Sequence, residues 1–472
     1  MEKVERGGIT IDSAQWSAET VAKLIDHLAG HGTRALAAVD DAELLEAWGA
    51  TVEAFFDGRS DERRRLAGPL LALTGLSAQG LAAGLEAVLG GMRARPHAKD
   101  LLARARRLRK GADGAHGAPY GTSGDQPLGD RPDAAYGTHD ERSVNEPLRR
   151  GVRRAHHSTP ASEAASRAPA FVVLAGNVPA LAVQPLLPAL VMRRPALLKS
   201  ASAEPLFAPA FVAALARRLP AIGDGVAALT WVGGDPTLEA PVLARADPVL
   251  VYGGRAAVTD LQRRAAGRVV DYGPKLSFAV VGADADLARA AAGVARDVAL
   301  FDQRGCLSVQ AAFVEGGAAR ATAFGEALAT ALAAFAIELP PGAVDAMQAS
   351  AVQQIRGAAE MRGALASRLP IGAGTVVVEP AGAPLVPSPG LRTVRVYPVT
   401  SLKALPEMLA RWCGLLQGAA LAGESALALA PALAHLGVSR CTAPGELQAA
   451  DASWHNGGHD PLDVLSPPPL TP

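Results

Sequence analysis

The stretch Phe171-Val172-Val173-Leu174-Ala175-Gly176-Asn177-Val178-Pro179-Ala180 runs from a buried-strand pattern into a Gly/Asn/Pro turn, and the chain beyond it repeats that plan. Short Val- and Leu-rich runs at Phe171 to Ala175, Ala196 to Lys199, Ala228 to Val232, Pro248 to Tyr252 and Phe278 to Val281 alternate with Ala-rich helical segments. Apolar runs of this length with helices between them predict strands covered on both faces, hence an α/β fold with a mostly parallel sheet. A second region continues the alternation, with a strand at Val309 to Val314, a helix from Ala318 to about Phe335, and strands near Gly374 to Glu379 and Thr393 to Val399.

Upstream, from Ser13 to about Lys110, apolar residues recur every three or four positions, which predicts a helical lead-in. Between 111 and 167 the composition collapses into Gly, Pro, Ser, Asp, Arg and His, too little apolar surface to offset chain entropy, so a disordered or loose insert is expected. The His156-His157 pair falls there and reads as a solvated loop. The expected organisation is therefore a helical region 1–110, the insert 111–167, a dinucleotide-binding domain 168–275, a catalytic domain 276–400, and a C-terminal return segment and tail 401–472. Ala168 to Met192 is apolar enough to raise the question of a membrane span, but Asn177, Gln184 and three prolines break it up, and it reads as buried core.

Lys plus Arg and Asp plus Glu balance at 46 each, leaving no electrostatic footprint for nucleic acid or an anionic membrane. A small molecule or another protein is the expected partner. Three widely spaced cysteines give neither a disulfide framework nor a C-x-x-C metal pair, which suits a reducing cytoplasm. The opening Met1-Glu2-Lys3-Val4-Glu5-Arg6 lacks the apolar core of a signal peptide. His455 and His459 bracket Asn456-Gly457-Gly458 without a third ligand nearby, so no metal site is expected.

One cysteine stands apart. Cys306, in Phe301-Asp302-Gln303-Arg304-Gly305-Cys306-Leu307-Ser308, follows a Gly in a polar turn after an apolar-periodic segment, where a thiol can be exposed as a nucleophile. Other strand ends carry suitable partners. Asn177, after Gly176, has a carboxamide able to donate to an oxyanion; Lys199 ends the next strand, placed for a ribose or phosphate; Gly253 and Gly254 open a helix whose amides can face a pyrophosphate.

In order and spacing these segments, with Asp271-Tyr272-Gly273-Pro274-Lys275 and Asp284-Ala285-Asp286-Leu287, resemble the aldehyde dehydrogenase superfamily. Its strand end P-W-N, its V-L-K-P and F-T-G-S segments, its E-L-G-G-K, and its G-Q-x-C nucleophile come in the same sequence. The variants G-N-V-P, Y-G-P-K and F-D-Q-R-G-C-L-S, with Gly437-Val438-Ser439-Arg440 and Trp454-His455, resemble the acyl-CoA reductase branch, whose best-known member is the fatty acyl reductase subunit of bacterial bioluminescence.

The resemblance implies a Rossmann-type cofactor domain and an α/β catalytic domain. It implies that Cys306 is acylated by a fatty acyl-CoA or by an acyl-loaded synthetase partner, and that reduced nicotinamide then releases aldehyde. Asn177 and the Cys306 amide would hold the oxyanion. Lys199 would bind the adenosine ribose. Ser202 stands where NAD-selective relatives carry Glu, so NADPH is permitted and preferred, with NADH possible. Gly176, Gly253 and Gly254 belong to the cofactor site.

Asp271 stands where oxidising relatives have the Glu that activates water; it is a methylene shorter, and both a catalytic and a turn role stay open for it. Lys275 reads as loop support. No carboxylate occupies Leu391-Arg392-Thr393-Val394, where many relatives fix the nicotinamide ribose. A homo-oligomer or multi-enzyme complex is expected. Two rivals stay open: an aldehyde dehydrogenase in the oxidising direction, and a non-catalytic acyl-carrying subunit.

Overall fold

The computed structural model describes residues 3–6, 9–12, 16–93, 95–112 and 167–467. The expected insert, with His156-His157, lies outside the described residues but for its first two positions and its last. A hairpin of strands β1 (Lys3–Arg6) and β2 (Ile9–Asp12) precedes the helices. Helices then occupy Ala18–His27, Asp41–Phe56, Asp61–Thr74, Ala78–Arg93 and Arg95–Ala112, as the three- and four-residue periodicity predicts. Ser17, Asp40 and Ser60 each cap a helix start by accepting first-turn N–H groups.

The first sheet holds β3 (Ala170–Val173), β4 (Ala196–Ser200), β5 (Val226–Thr230), β6 (Val249–Val251) and β7 (Val269–Asp271), all parallel and ordered β5-β4-β3-β6-β7. Strand order reverses between β3 and β6, so the loops after these two strands part company and leave a crevice, the position where open α/β sheets take ligands. The helical region shares this sheet's core: Trp48 and Phe55 pack edge-on or tilted against Phe207 and Phe211 of the helix Phe207–Arg218. Buried Arg193 also pairs with Asp41 at the start of the helix Asp41–Phe56.

The second sheet contains β8 (Leu276–Val281), β9 (Val309–Glu315), β10 (Thr375–Val378), β11 (Thr393–Val399), β12 (Leu416–Ala422) and β13 (Arg440–Thr442), parallel throughout and ordered β10-β11-β9-β8-β12-β13. The C-terminal segment thus supplies two of its strands. The helix Gly317–Glu338 is long and apolar enough to cross a membrane. Here it packs on this sheet and on the helix Leu287–Ala299 through Phe324, Leu328 and Leu332. Only Tyr272-Gly273-Pro274-Lys275 separates β7 from β8. The carboxyl ends of the first sheet therefore face the amino ends of the second.

The chain enters β9 through a tight reversal. Phe301, Asp302 and Gln303 all have positive φ (56°, 50° and 64°), an unusual run for residues with side chains, and Leu391 and Arg392 before β11 share that conformation. The two strained segments are bolted together. Arg392, wholly buried, donates from Nη2 to Asp302 Oδ1 at 2.7 Å and to Leu339 O at 2.8 Å. Gln303 donates from Nε2 to Val309 O and Thr393 O and accepts the Thr393 N–H at 2.7 Å. The Phe301 ring fills the place where a Cβ on Gly84 would come within 2.4 Å of it, so the helix Ala78–Arg93 needs glycine there.

Removing one partner of a buried ion pair strands the other's charge. Arg392→Met should therefore lower the unfolding free energy by about 3 kcal/mol or more, read as a shifted urea midpoint at unchanged slope. Asp302→Asn combined with Arg392→Met should recover part of that loss.

Candidate active site

A cleft of about 510 Å³ opens where the two sheets abut. The first sheet contributes Gly176 and Asn177 after β3 and Tyr252, Gly253 and Gly254 after β6; the link contributes Tyr272 and Lys275; the second sheet contributes Cys306 before β9, Leu391 before β11 and Gln417 on β12. Five of the eight sequence-predicted residues meet here: Cys306, Asn177, Gly176, Gly253 and Gly254. Lys199, Ser202 and Asp271 do not line this cleft.

Cys306 reaches the cleft surface, yet protein surrounds its sulfur on most sides. Burial pushes the thiol up to about 11; its own amide, the positive charge of Lys275, the Leu307 amide and Gln417 oppose that rise. The loop is held from behind, with Ser277 Oγ donating to Cys306 O at 2.7 Å and Ser308 Oγ receiving Gly305 N at 3.2 Å. Gln448 Nε2 donates to the same Ser308 hydroxyl at 2.9 Å. Asn177 crosses the cleft and donates from Nδ2 to Arg304 O at 2.6 Å. A carboxamide carries two such hydrogens, so one more is available in the cleft that Cys306 also lines.

Gly254 caps the helix Arg255–Arg264 in an extended conformation, and a Cβ there would meet nothing within 4 Å, leaving the first-turn amides approachable. These are donors of the kind a dinucleotide phosphate takes. Gly176 has a second, packing role, because a Cβ would fall 2.6 Å from that of Ala203. Lys199 is buried at the end of β4, with Nζ 5.6 Å from the Trp231 ring centre; burial lowers its pKa and Glu239 partly restores it. It sits deeper along the first sheet, with partly exposed Ser202 two residues beyond β4. That arrangement suits an extended cofactor whose far end lies on β4 and whose near end reaches Cys306.

Asp271 ends β7 and accepts the Gly273 N–H at 2.6 Å, bracing the turn that leads into β8. Lys275 Nζ donates to Gly414 O at 2.9 Å while its charge acts on Cys306.

Several cleft features have no counterpart in the sequence-based expectations. Tyr252 and Tyr272 stack at 4.5 Å, and His459 stands edge-on to Tyr272. Gln417 donates to Asn456 Oδ1 at 2.7 Å and lies 4.0 Å from Cys306 Sγ. The one sequence signal for Gln417 is that it is the sole polar side chain in Leu416-Gln417-Gly418-Ala419-Ala420-Leu421-Ala422.

Among the described residues, His27, His31 and Asp224 bring three ligand atoms within 4.8 Å of one another. All three side chains are about half exposed, and their contacts of 3.6 and 4.0 Å are those of surface His–Asp pairs. His455 instead faces Asp460 at 3.2 Å.

Comparison with known proteins agrees with this geometry. An aldehyde dehydrogenase from Pseudomonas aeruginosa superposes with a TM-score of 0.60 at 15% identity, covering 94% of this chain and 85% of that one. A glyceraldehyde-3-phosphate dehydrogenase from Methanocaldococcus jannaschii, solved with NADP, gives 0.59 at 13% identity over 91% and 86%. At such identities the likeness is one of fold, and the fold is that of the aldehyde dehydrogenases.

A long-chain acyl-protein thioester reductase from Vibrio harveyi is 32% identical over 149 residues, 30% of this chain. Its counterpart from Aliivibrio fischeri is 30% identical over 149 residues. The match spans 31% of the length of each of these two relatives. Residues 149–467, more than half of the 472, match the family described as acyl-CoA reductase (LuxC), and the chain belongs to that family.

Proposed function

We propose that this protein reduces a long-chain acyl thioester to the aldehyde, with Cys306 carrying the acyl group between the two half-reactions. The carrying observation is the meeting, in one cleft, of the Cys306 sulfur, the Asn177 carboxamide and the glycine-opened helix start at Gly253-Gly254. Cys306 gives up its proton, its thiolate attacks the thioester carbonyl, the C–S bond to the donor breaks, and the donor sulfur leaves as a thiolate that takes up a proton. A reduced nicotinamide nucleotide, when bound, supplies the hydride.

The chain's own groups do the rest. Each tetrahedral species on Cys306 carries an oxyanion, for which the second Asn177 hydrogen and the Cys306 amide are the donors. When the sulfur leaves from the second species it takes up a proton and the aldehyde departs. Asp271 is committed to its own turn and is absent from the cleft lining, which supports reduction over a water-requiring oxidation.

Two finer points belong to the same reading. The relatives named as acyl-protein thioester reductases support an acyl-loaded protein as donor, with acyl-CoA as the small-molecule equivalent. NADPH is the preferred reductant: Ser202 brings no charge to the β4 loop, and the carboxylate facing Lys199, Glu239, is taken up by Arg264 at 2.7 Å.

Incubation with a long-chain acyl-CoA should add one acyl mass to the wild type and none to Cys306→Ala; an adduct that persists in Cys306→Ala refutes the assignment. Loss of one oxyanion donor typically costs about a hundredfold in kcat. Asn177→Ala should show that loss in NADPH oxidation, with KM changed far less. Equal kcat/KM for NADPH and NADH would reject the cofactor preference, and NADP reduction by aldehydes without any thioester turnover would reject the direction.

A further inference from the structure

Gln417 is wholly buried, yet it lines the cleft. It lies on β12, where the register against β8 shifts between Leu416 and Ala419. Irregularities of this kind re-aim a side chain next to a site. Gly418 lets β12 pass close to the Cys306 loop, because a Cβ there would come within 2.9 Å of both Leu307 and Ser277. Further hydrogen bonds fix the strand: Gln417 O accepts the Ser439 N–H at 3.0 Å and its hydroxyl at 3.3 Å.

The side chain is oriented by what it holds. Its Nε2 is 2.7 Å from Asn456 Oδ1, an acceptor, and 4.0 Å from Cys306 Sγ. Asn456 in turn neighbours the Tyr252 hydroxyl, and Tyr252 is braced by its stack on Tyr272. With one Nε2 hydrogen spent on Asn456, the other is left for the sulfur. The remaining atom, Oε1, is buried and has no protein partner. Turning the Gln417 amide over against a fixed Asn456 would set an acceptor on Oδ1 and lose the 2.7 Å bond.

We propose that Gln417, oriented by Asn456 and Tyr252, is a catalytic hydrogen-bond donor to the Cys306 sulfur, stabilising the thiolate both as it attacks and as it leaves. Gln417 Nε2 reaches the sulfur at 4.0 Å from the strand that borders the cleft. Lys275 acts from the β7–β8 link through its charge, and Tyr252 faces the sulfur from the first sheet. Tyr272 and His459 stand behind Tyr252. The role in turnover rests on Cys306 being the acyl carrier; the effect on the thiol does not.

The test is the pH dependence of iodoacetamide alkylation, followed peptide by peptide on the full chain. Exposed Cys413 and Cys441 serve as internal references for an intact fold. A lost hydrogen bond to a charged sulfur should slow Cys306 about tenfold or more at a fixed pH below its midpoint and move the midpoint upward in Gln417→Leu. Asn456→Leu, outside the sheet, should slow it less.

A Cys306 profile unchanged in Gln417→Leu, with both references unchanged, overturns the proposal. Should Gln417→Leu disturb the references, an unchanged profile in Asn456→Leu overturns it instead. A wild type that alkylates at Cys306 but takes no acyl group counts against the thioester reaction alone.

Discussion

Asp302 and Arg392 meet in the turn that leads to Cys306 with almost no solvent on either, joining two segments of left-handed backbone that neither sequence would adopt alone. Asp302 also receives the Gly342 N–H, and Arg392 donates to Leu339 O, so the pair gathers the turn before β9, the turn before β11 and the end of the helix Gly317–Glu338. Non-glycine residues held at positive φ each cost of order 1–3 kcal/mol and persist only where their surroundings over-determine them. Here the surroundings are this ion pair, the Gln303 bonds to both strands and the Phe301 ring seated on Gly84. Cys306 follows within a few residues. Its placement depends on contacts about 90 residues away in sequence and on a helix of the N-terminal region.

The meeting of two parallel sheets end to end explains how one cleft can set the Cys306 sulfur opposite the helix-start amides at Gly253-Gly254, as the proposed reaction requires. Strand ends of the first sheet expose amides and a carboxamide at the switch point between β3 and β6, a setting that favours anions and oxyanions. The second sheet offers its amino ends, where the β8, β9, β11 and β12 entries bring Ser277, Cys306, Thr393 and Gln417 together. The short β7–β8 link leaves little freedom between the halves. Asp271 stiffens it through Gly273, and Lys275 ties it to Gly414, which accounts for the sequence pattern there without a catalytic carboxylate.

Most strands were legible: β3, β4, β5, β6, β8, β9, β10 and β11 fall within one or two residues of the periodicity reading, because Val and Leu runs leave few alternatives. β12 was not, since an Ala-rich, Gly-containing stretch reads equally as helix, and β7 and β13 are three-residue strands that end on or carry polar residues. Within the cleft, Cys306, Asn177 and Gly253 were legible because each sits at a strand end with turn chemistry beside it. Gln417, Asn456 and the Asp302–Arg392 pair were hidden, because their partners lie 39 to 111 residues away and only the folded chain brings them into contact. Lys199 read correctly as a strand-end residue, but its burial beside Trp231 places it at the far reach of the first sheet, apart from the sulfur.

A sulfur that must first attack and then leave faces opposed demands. Lowering a thiol's pKa makes it a better leaving group and raises its thiolate fraction, but weakens the thiolate as a nucleophile. Burial drives Cys306 the other way, up to about 11 even against the groups that oppose it, where the anion is a strong nucleophile and scarcely populated. The opposing groups are all fixed: two backbone amides, a lysine tied to a carbonyl, and a glutamine oriented by an asparagine. Fixed donors do not have to reorganise when charge arrives, so they stabilise the anion most at the moments it forms. A mobile cation close to the sulfur would instead pair with the resting thiolate and hold it there. With its donors built into the second sheet and the β7–β8 link, the cleft suits a cysteine that passes through the charged state twice in each cycle of the proposed reaction.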